Sequence, residues 1–171
     1  MKRTSIVILF AVSTFTVSAQ TLKSVLLNQV KTTHDKEDWF VPLNIALKGV
    51  TAEQAVWKDG SVNHSIGQLA NHLLFWNERQ LKVFKGQKNE PFSGNNDETF
   101  NAFTKEQWTQ TVQRLDEVLS EIENIIQNAD EASLKSWAET IGNISTHNSY
   151  HTGQIIFVRK LQGNWKNSTD K

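Results

Sequence analysis

The stretch Trp108-Thr109-Gln110-Thr111-Val112-Gln113-Arg114-Leu115-Asp116-Glu117-Val118-Leu119-Ser120-Glu121-Ile122-Glu123-Asn124-Ile125-Ile126 decides the fold. Trp108, Val112, Leu115, Leu119, Ile122 and Ile126 recur at alternating spacings of four and three. Side chains so spaced stack along one side of an α-helix, and the remaining positions are charged or polar, as a solvated face requires. Thr104-Lys105-Glu106-Gln107 precedes the stretch and reads as a capping box, in which a Thr hydroxyl and a Gln side chain satisfy each other's backbone N–H. A helix over 105–127 with one apolar seam needs partners to bury that seam.

Working outward, the partners read as helices too. Upstream, Ser65-Ile66-Gly67-Gln68 is another capping box. It opens a helix over 65–85 with Ile66, Leu69, Leu73 and Trp76 buried and Gly86 as its stop. Residues 86–103 are polar, carry Pro91 and Gly94, and read as a loop long enough to cover a pocket. The first helix spans 21–48. Leu22, Val25, Leu26, Gln29 and Val30 form its apolar face, it continues through His34, Asp38 and Trp39, and Pro42 kinks it before Gly49 caps it. Thr51-Ala52-Glu53-Gln54 opens a short helical turn that ends near Trp57, and Asp59-Gly60 marks a turn. Downstream, 128–136 is a connection and the last helix covers 139–161, with Ile141, Ile144, Ile155 and Val158 inside and Gly163 as its stop. No stretch alternates as a strand would. The fold class is all-α: a four-helix bundle of the up-down type. The six tryptophans fall mostly at core positions of these helices.

Composition narrows the function. The absence of cysteine excludes disulfides, thiolate metal sites and cysteine nucleophiles, so any transition metal must bind His, carboxylate or backbone oxygen. Residues 1–19 read as a signal peptide. Lys2 and Arg3 precede an apolar run from Ile6 to Val17, and Val17-Ser18-Ala19 supplies small residues before a cleavage point. The run is too short for a comfortable membrane span. Cleavage after Ala19 leaves one domain over 20–171, exported to a periplasmic or extracellular compartment without a stable membrane anchor. That mature chain has 16 basic and 18 acidic residues, which excludes the basic stripe needed to bind nucleic acid.

The chemistry lies in His147-Asn148-Ser149-Tyr150-His151. His147 and His151 are one helical turn apart, about 40° in direction and about 6 Å in height, close enough to share one ion. Such a pair also occurs on solvated faces. A third ligand must come from another helix, and His72, flanked by buried positions, is the best candidate. Three neutral imidazoles leave a coordination position open, where a water or a substrate can be activated. His34, amid charged residues, and His64, beside the Ser65 cap, read as surface residues. Asn71, Asn148 and Gln154 are candidates for orienting the imidazoles from behind, and Trp76 for lining a pocket. No general base stands out, and the catalytic residues stay unassigned. Glu37 and Asp38 are the nearest candidates, but both read as solvated.

The late helix His147-Asn148-Ser149-Tyr150-His151-Thr152-Gly153-Gln154-Ile155 comes after Ser65-Ile66-Gly67-Gln68-Leu69-Ala70-Asn71-His72-Leu73-Leu74-Phe75-Trp76 and Trp39-Phe40-Val41-Pro42-Leu43. In that order the three resemble the DinB/YfiT family of metalloenzymes. The resemblance implies a four-helix bundle with its metal site between helices 2 and 4. The ion would be divalent, commonly zinc or nickel, held by His72, His147 and His151. The resemblance is compatible with a hydrolase or a thiol S-transferase acting on a small molecule, and with a homodimer. Export departs from the cytosolic setting of the thiol-dependent relatives. The alternative is a non-catalytic bundle that binds a metal or a small ligand.

Overall fold

A computed structural model describes residues 20–60, 63–101 and 103–165. The signal peptide expected over 1–19 lies outside the described residues. Those residues form seven α-helices in chain order and no strand: α1 (Leu22–His34), α2 (Leu43–Leu47), α3 (Ala52–Val56), α4 (Ile66–Phe84), α5 (Glu98–Asn101), α6 (Trp108–Asn128) and α7 (Glu131–Leu161). None is long and apolar enough to cross a membrane.

The capping boxes work as local chemistry dictates. Ser65 accepts from the Gln68 N–H at 3.2 Å while the Gln68 carboxamide accepts from the Ser65 N–H at 3.0 Å. Thr51 and Gln54 do the same at the head of α3. Ahead of α6, Gln107 reaches back to the Thr104 N–H at 2.8 Å across one 3-10 turn. The seam of α6 is buried from Trp108 to Ile126, except that Val112 is partly exposed.

Four long helices carry the core, with α1 and α4 each packed against both α6 and α7. One apolar cluster gathers α2, α3 and the facing ends of α4, α6 and α7 around Leu43, Leu69 and Leu119. The other joins α1, α6 and the start of α7 around Val30, Ile122 and Ile141. Pairing of charges along the helices reveals their direction. Arg114 meets Glu78 at 2.8 Å and Lys85 meets Glu121 at 2.5 Å, so α4 and α6 advance together and are parallel. By contrast, Asn77 of α4 pairs with Asn148 of α7 while Phe84 packs on Trp137, so those two run antiparallel. Simple up-down alternation would have made α4 and α6 antiparallel. The segment from Lys85 to Gln107 is long enough to return the chain to the end where α4 began.

Three boundaries differ from the sequence reading. The first helix stops at His34, where the Asp35 and Lys36 N–H groups both close on the Lys31 carbonyl. Residues 35–42 are non-helical and Trp39 is 98 % exposed. The chain returns to the core at Val41 and Pro42. Residues Leu22 and Val25 are likewise exposed, and the buried face of α1 runs instead through Leu26, Val30, Thr33 and His34. The connection expected over 128–136 shrinks to Ala129-Asp130. Asp130 caps α7 by accepting from the Ser133 N–H at 2.7 Å, a cap with no Glu or Gln three residues on to advertise it. Finally, the loop before α6 contains α5, which buries Thr99 and Phe100. Of the six tryptophans only Trp108 is buried, donating to the Val50 carbonyl at 2.8 Å.

Arg159 closes the far end. Its guanidinium is buried and donates to the Ala46 and Lys48 carbonyls at 2.8 and 3.1 Å, satisfying the C-terminal acceptors of α2.

Candidate metal centre

His72 sits in the middle of α4 and is buried. His147 and His151 lie one turn apart on α7, half-buried and buried respectively. The antiparallel packing of α4 on α7 brings all three rings to one point. Their ligand-capable nitrogens lie within 4.8 Å of one another, and His72 Nε2 is 3.0 Å from His147 Nε2.

Outer hydrogen bonds determine which nitrogen of each ring is free. The Thr99 hydroxyl has a single proton and spends it on the Asn96 carbonyl at 2.6 Å. It therefore accepts from His72 Nδ1–H at 2.5 Å, which leaves the His72 Nε2 lone pair facing inward. The Gln154 carbonyl oxygen can only accept, so His151 Nδ1–H donates to it at 2.6 Å and its Nε2 is likewise free. Two ring nitrogens 3.0 Å apart, one of them an obligate acceptor, need a proton on His147 Nε2 or a cation between the rings. A tetrahedral ion with Zn–N bonds of about 2.1 Å spaces its donors by roughly 3.4 Å, inside the 4.8 Å span of this cluster. The donor set fits a divalent ion.

The electrostatics agree. Burial, with the neighbouring His151 and His147 rings adding to it, pushes His72 down to about 3. Burial and then His151 push His147 down to about 4. Burial also lowers His151, against the opposing bond to Gln154. All three are neutral near pH 7, the form that ligates metal.

Aromatic rings complete the environment. Phe100, delivered by α5, stacks on His72 at 3.8 Å and on its other face meets His64 at 3.9 Å. His64 is therefore half-buried in a stack rather than a free surface residue. Trp76 stands edge-on to His72 at 6.4 Å and lines a cleft of about 660 Å³ that opens beside the three imidazoles.

The residues proposed to orient the imidazoles divide. Gln154 touches His151 directly. Asn71 instead donates to the Thr99 carbonyl at 2.8 Å, holding the segment that holds His72. Asn148 touches no imidazole; it is fully buried and exchanges two hydrogen bonds with Asn77 at 2.9 and 3.2 Å, locking α7 to α4 beside His147. Thr99 escaped the sequence reading, since nothing local marks one Thr in a polar loop as a partner of His72, 27 residues earlier. Glu37 and Asp38 are exposed in the non-helical 35–42 segment and do not line the cleft.

His34 departs most from its expected surface role. It is 2 % exposed, with Nδ1 2.6 Å from Glu123 and Nε2 2.9 Å from Asp116, and it takes no part in the three-histidine cluster. Burial lowers its pKa, but the hydrogen bonds to Glu123 and Asp116 outweigh that and raise it overall.

No curated protein and no solved structure matches the chain. A family model does: residues 43–155 match the DinB superfamily. The match spans more than half of the chain, begins at the first residue of α2 and takes in His72, His147 and His151, and on that ground the chain belongs to the DinB superfamily.

Proposed function

We propose that this protein is an exported, metal-dependent enzyme built on a four-helix bundle, with a divalent ion between its second and fourth long helices. His72, His147 and His151 hold the ion, zinc or nickel. When bound, the ion supplies Lewis acidity to a water or a thiol substrate in the open position, which makes the reaction a hydrolysis or an S-transfer. The observation that carries this reading is the convergence of neutral imidazoles, two with assigned inward lone pairs, at the wall of an open cleft. A purely structural site would be closed by a fourth side chain.

The chain's own residues contribute orientation. Thr99 and Gln154 hold the His72 and His151 rings in the ligating tautomer. Phe100 covers one face of His72 and keeps water from that side. A second reading, a bundle that binds a metal or small ligand without turnover, draws support from the cleft lining, which among the described residues has no carboxylate to act as general base.

Elemental analysis of the purified protein tests the metal. One equivalent of zinc or nickel in the wild type, lost in His147→Ala and His151→Ala, is the expected result. A metal-free protein whose melting temperature ignores both ions would sink both readings. Turnover of an ester or thiol conjugate by loaded protein, abolished in His151→Ala, separates enzyme from binder. Export is tested by the N-terminal mass of the secreted chain, with Gln20 as its expected first residue.

A further inference from the structure

The cleft runs well beyond the histidines. On α4 it is lined by His72, Trp76 and Gln80, each one turn from the last, and on α7 by Thr140, Asn143 and His147, spaced three and four apart. At 1.5 Å per residue the eight steps from His72 to Gln80 make a groove about 12 Å long. The three rings close one end of it.

Two features of the groove restrict what fits. Among the described residues, no Asp, Glu, Lys or Arg lines it. The nearest charged side chains on α4 turn away: Glu78 pairs with Arg114 on α6, and Arg79 lies over the Phe75 ring and bonds to the Glu90 carbonyl. Meanwhile the side chains of Gln80, Thr140 and Asn143 make no hydrogen bond to the described protein, although they face the groove. Asn77 beneath them is spent on Asn148 and the Leu73 carbonyl, so it packs the floor and offers little. The wall thus pairs apolar surface from Trp76, Phe100, Ile144 and the Tyr150 ring with a row of uncommitted neutral donors and acceptors. A charged group brought here would lose hydration without gaining a counter-ion. A neutral amide or hydroxyl would exchange water for Gln80, Thr140 and Asn143 at little cost.

We propose that the groove binds an uncharged, elongated ligand that carries amide or hydroxyl groups about 12 Å from the atom it places at the three histidines. This deepens the metal reading above and rests on it. The juxtaposition of the histidine cluster with the neutral row Gln80–Thr140–Asn143 selects against anionic and cationic tails.

Three hydroxamates of equal length form the test, binding to the zinc-loaded full chain by calorimetry. They derive from suberic acid and end in a carboxamide, a carboxylate or a methyl group. The carboxamide should bind about tenfold tighter than the near-isosteric carboxylate and also tighter than the methyl-ended chain. Gln80→Ala and Asn143→Ala should erase the carboxamide's advantage while leaving the binding of acetohydroxamate, which has no tail, unchanged. Both residues are at the cleft surface, so the variants should fold, and unaltered acetohydroxamate binding would confirm it. A carboxylate tail that binds as well as the amide, or variants that leave the preference intact, would overturn the proposal. Failure of acetohydroxamate itself to bind wild-type protein would instead strike the metal reading, and the proposal would fall with it.

Discussion

Thr99 decides the chemistry of His72 from outside the helix that carries it. Its hydroxyl accepts from Nδ1–H because its own proton is committed to Asn96, and that commitment assigns the inward lone pair. Removing the acceptor frees the ring to tilt or to change tautomer. Partners of this kind are worth about 10- to 100-fold in metal affinity. Thr99→Val should therefore weaken zinc or nickel binding by that factor in a competition titration, while Thr99→Ser should retain it. Equal affinities for wild type and Thr99→Val would refute the assigned role. His147 and His151 could be read as a pair from spacing four along a periodic helix. Thr99 could not, because only the folding of α5 against α4 makes it a neighbour.

At the scale of elements, two polar contacts hold helices together where apolar packing alone would leave them free to slide. The Asn77–Asn148 pair sets α7 against α4 within one residue of His147. Leaving one buried amide without its partner costs about 1–3 kcal/mol, whereas replacing both with apolar groups costs far less. Asn148→Leu should thus lower the urea midpoint, and Asn77→Leu added to it should restore much of the loss. A double variant that is less stable than either single one would show that the pair is not coupled in this way.

The second contact, His34 with Glu123 and Asp116, ties α1 to α6 and responds to pH. The His34 pKa is raised above 6.5 in the folded protein, so its contribution is complete below 6.5 and is lost as pH rises through the raised value. Asp116 is lowered below 3.8, first by the Asn44 amide and then by His34, so its contribution is present above 3.8 and lost as pH falls through the lowered value. Asp116 is half exposed, and solvent screening keeps its share small. The clasp's own contribution should be full in mildly acidic buffer and decline toward alkaline pH, opposite in sign to that of the three neutral histidines, which cost stability below 6.5, and His34→Gln should flatten the alkaline decline. Identical pH profiles for wild type and His34→Gln in urea unfolding would count against the clasp.

For the whole molecule, the histidine cluster joins α4 and α7, and two of its rings are held by α5 through Thr99 and by the last turns of α7 through Gln154. A ligand that binds only the folded state stabilises it by mass action, about 2.7 kcal/mol at a hundred times the dissociation constant. Zinc or nickel should therefore raise the melting temperature of the full chain, a chelator should reverse the rise, and His72→Ala should abolish it. A melting temperature indifferent to both ions in the wild type would contradict the three-histidine site.

The sequence by itself determined the helices whose signals are local. The Ser65 and Thr51 boxes, the glycine after α4 with its φ of +68° and the seam from Trp108 to Ile126 needed no distant partner, since caps and periodicity act within one or two turns. It also named the three histidines, because residue type and one-turn spacing are visible along the chain. Tertiary structure alone decided where a helix with weak local signals ends. The first helix stops at His34 and leaves Trp39 exposed, and α7 starts at Glu131, where Leu134 joins the core shared with α1. It decided that α4 and α6 run parallel, which no single helix encodes. It also turned His34 and His64 from surface residues into a buried clasp and a stacked ring. In each case the deciding energy comes from desolvation and pairing with residues far away in sequence, and periodicity along one helix cannot see those partners.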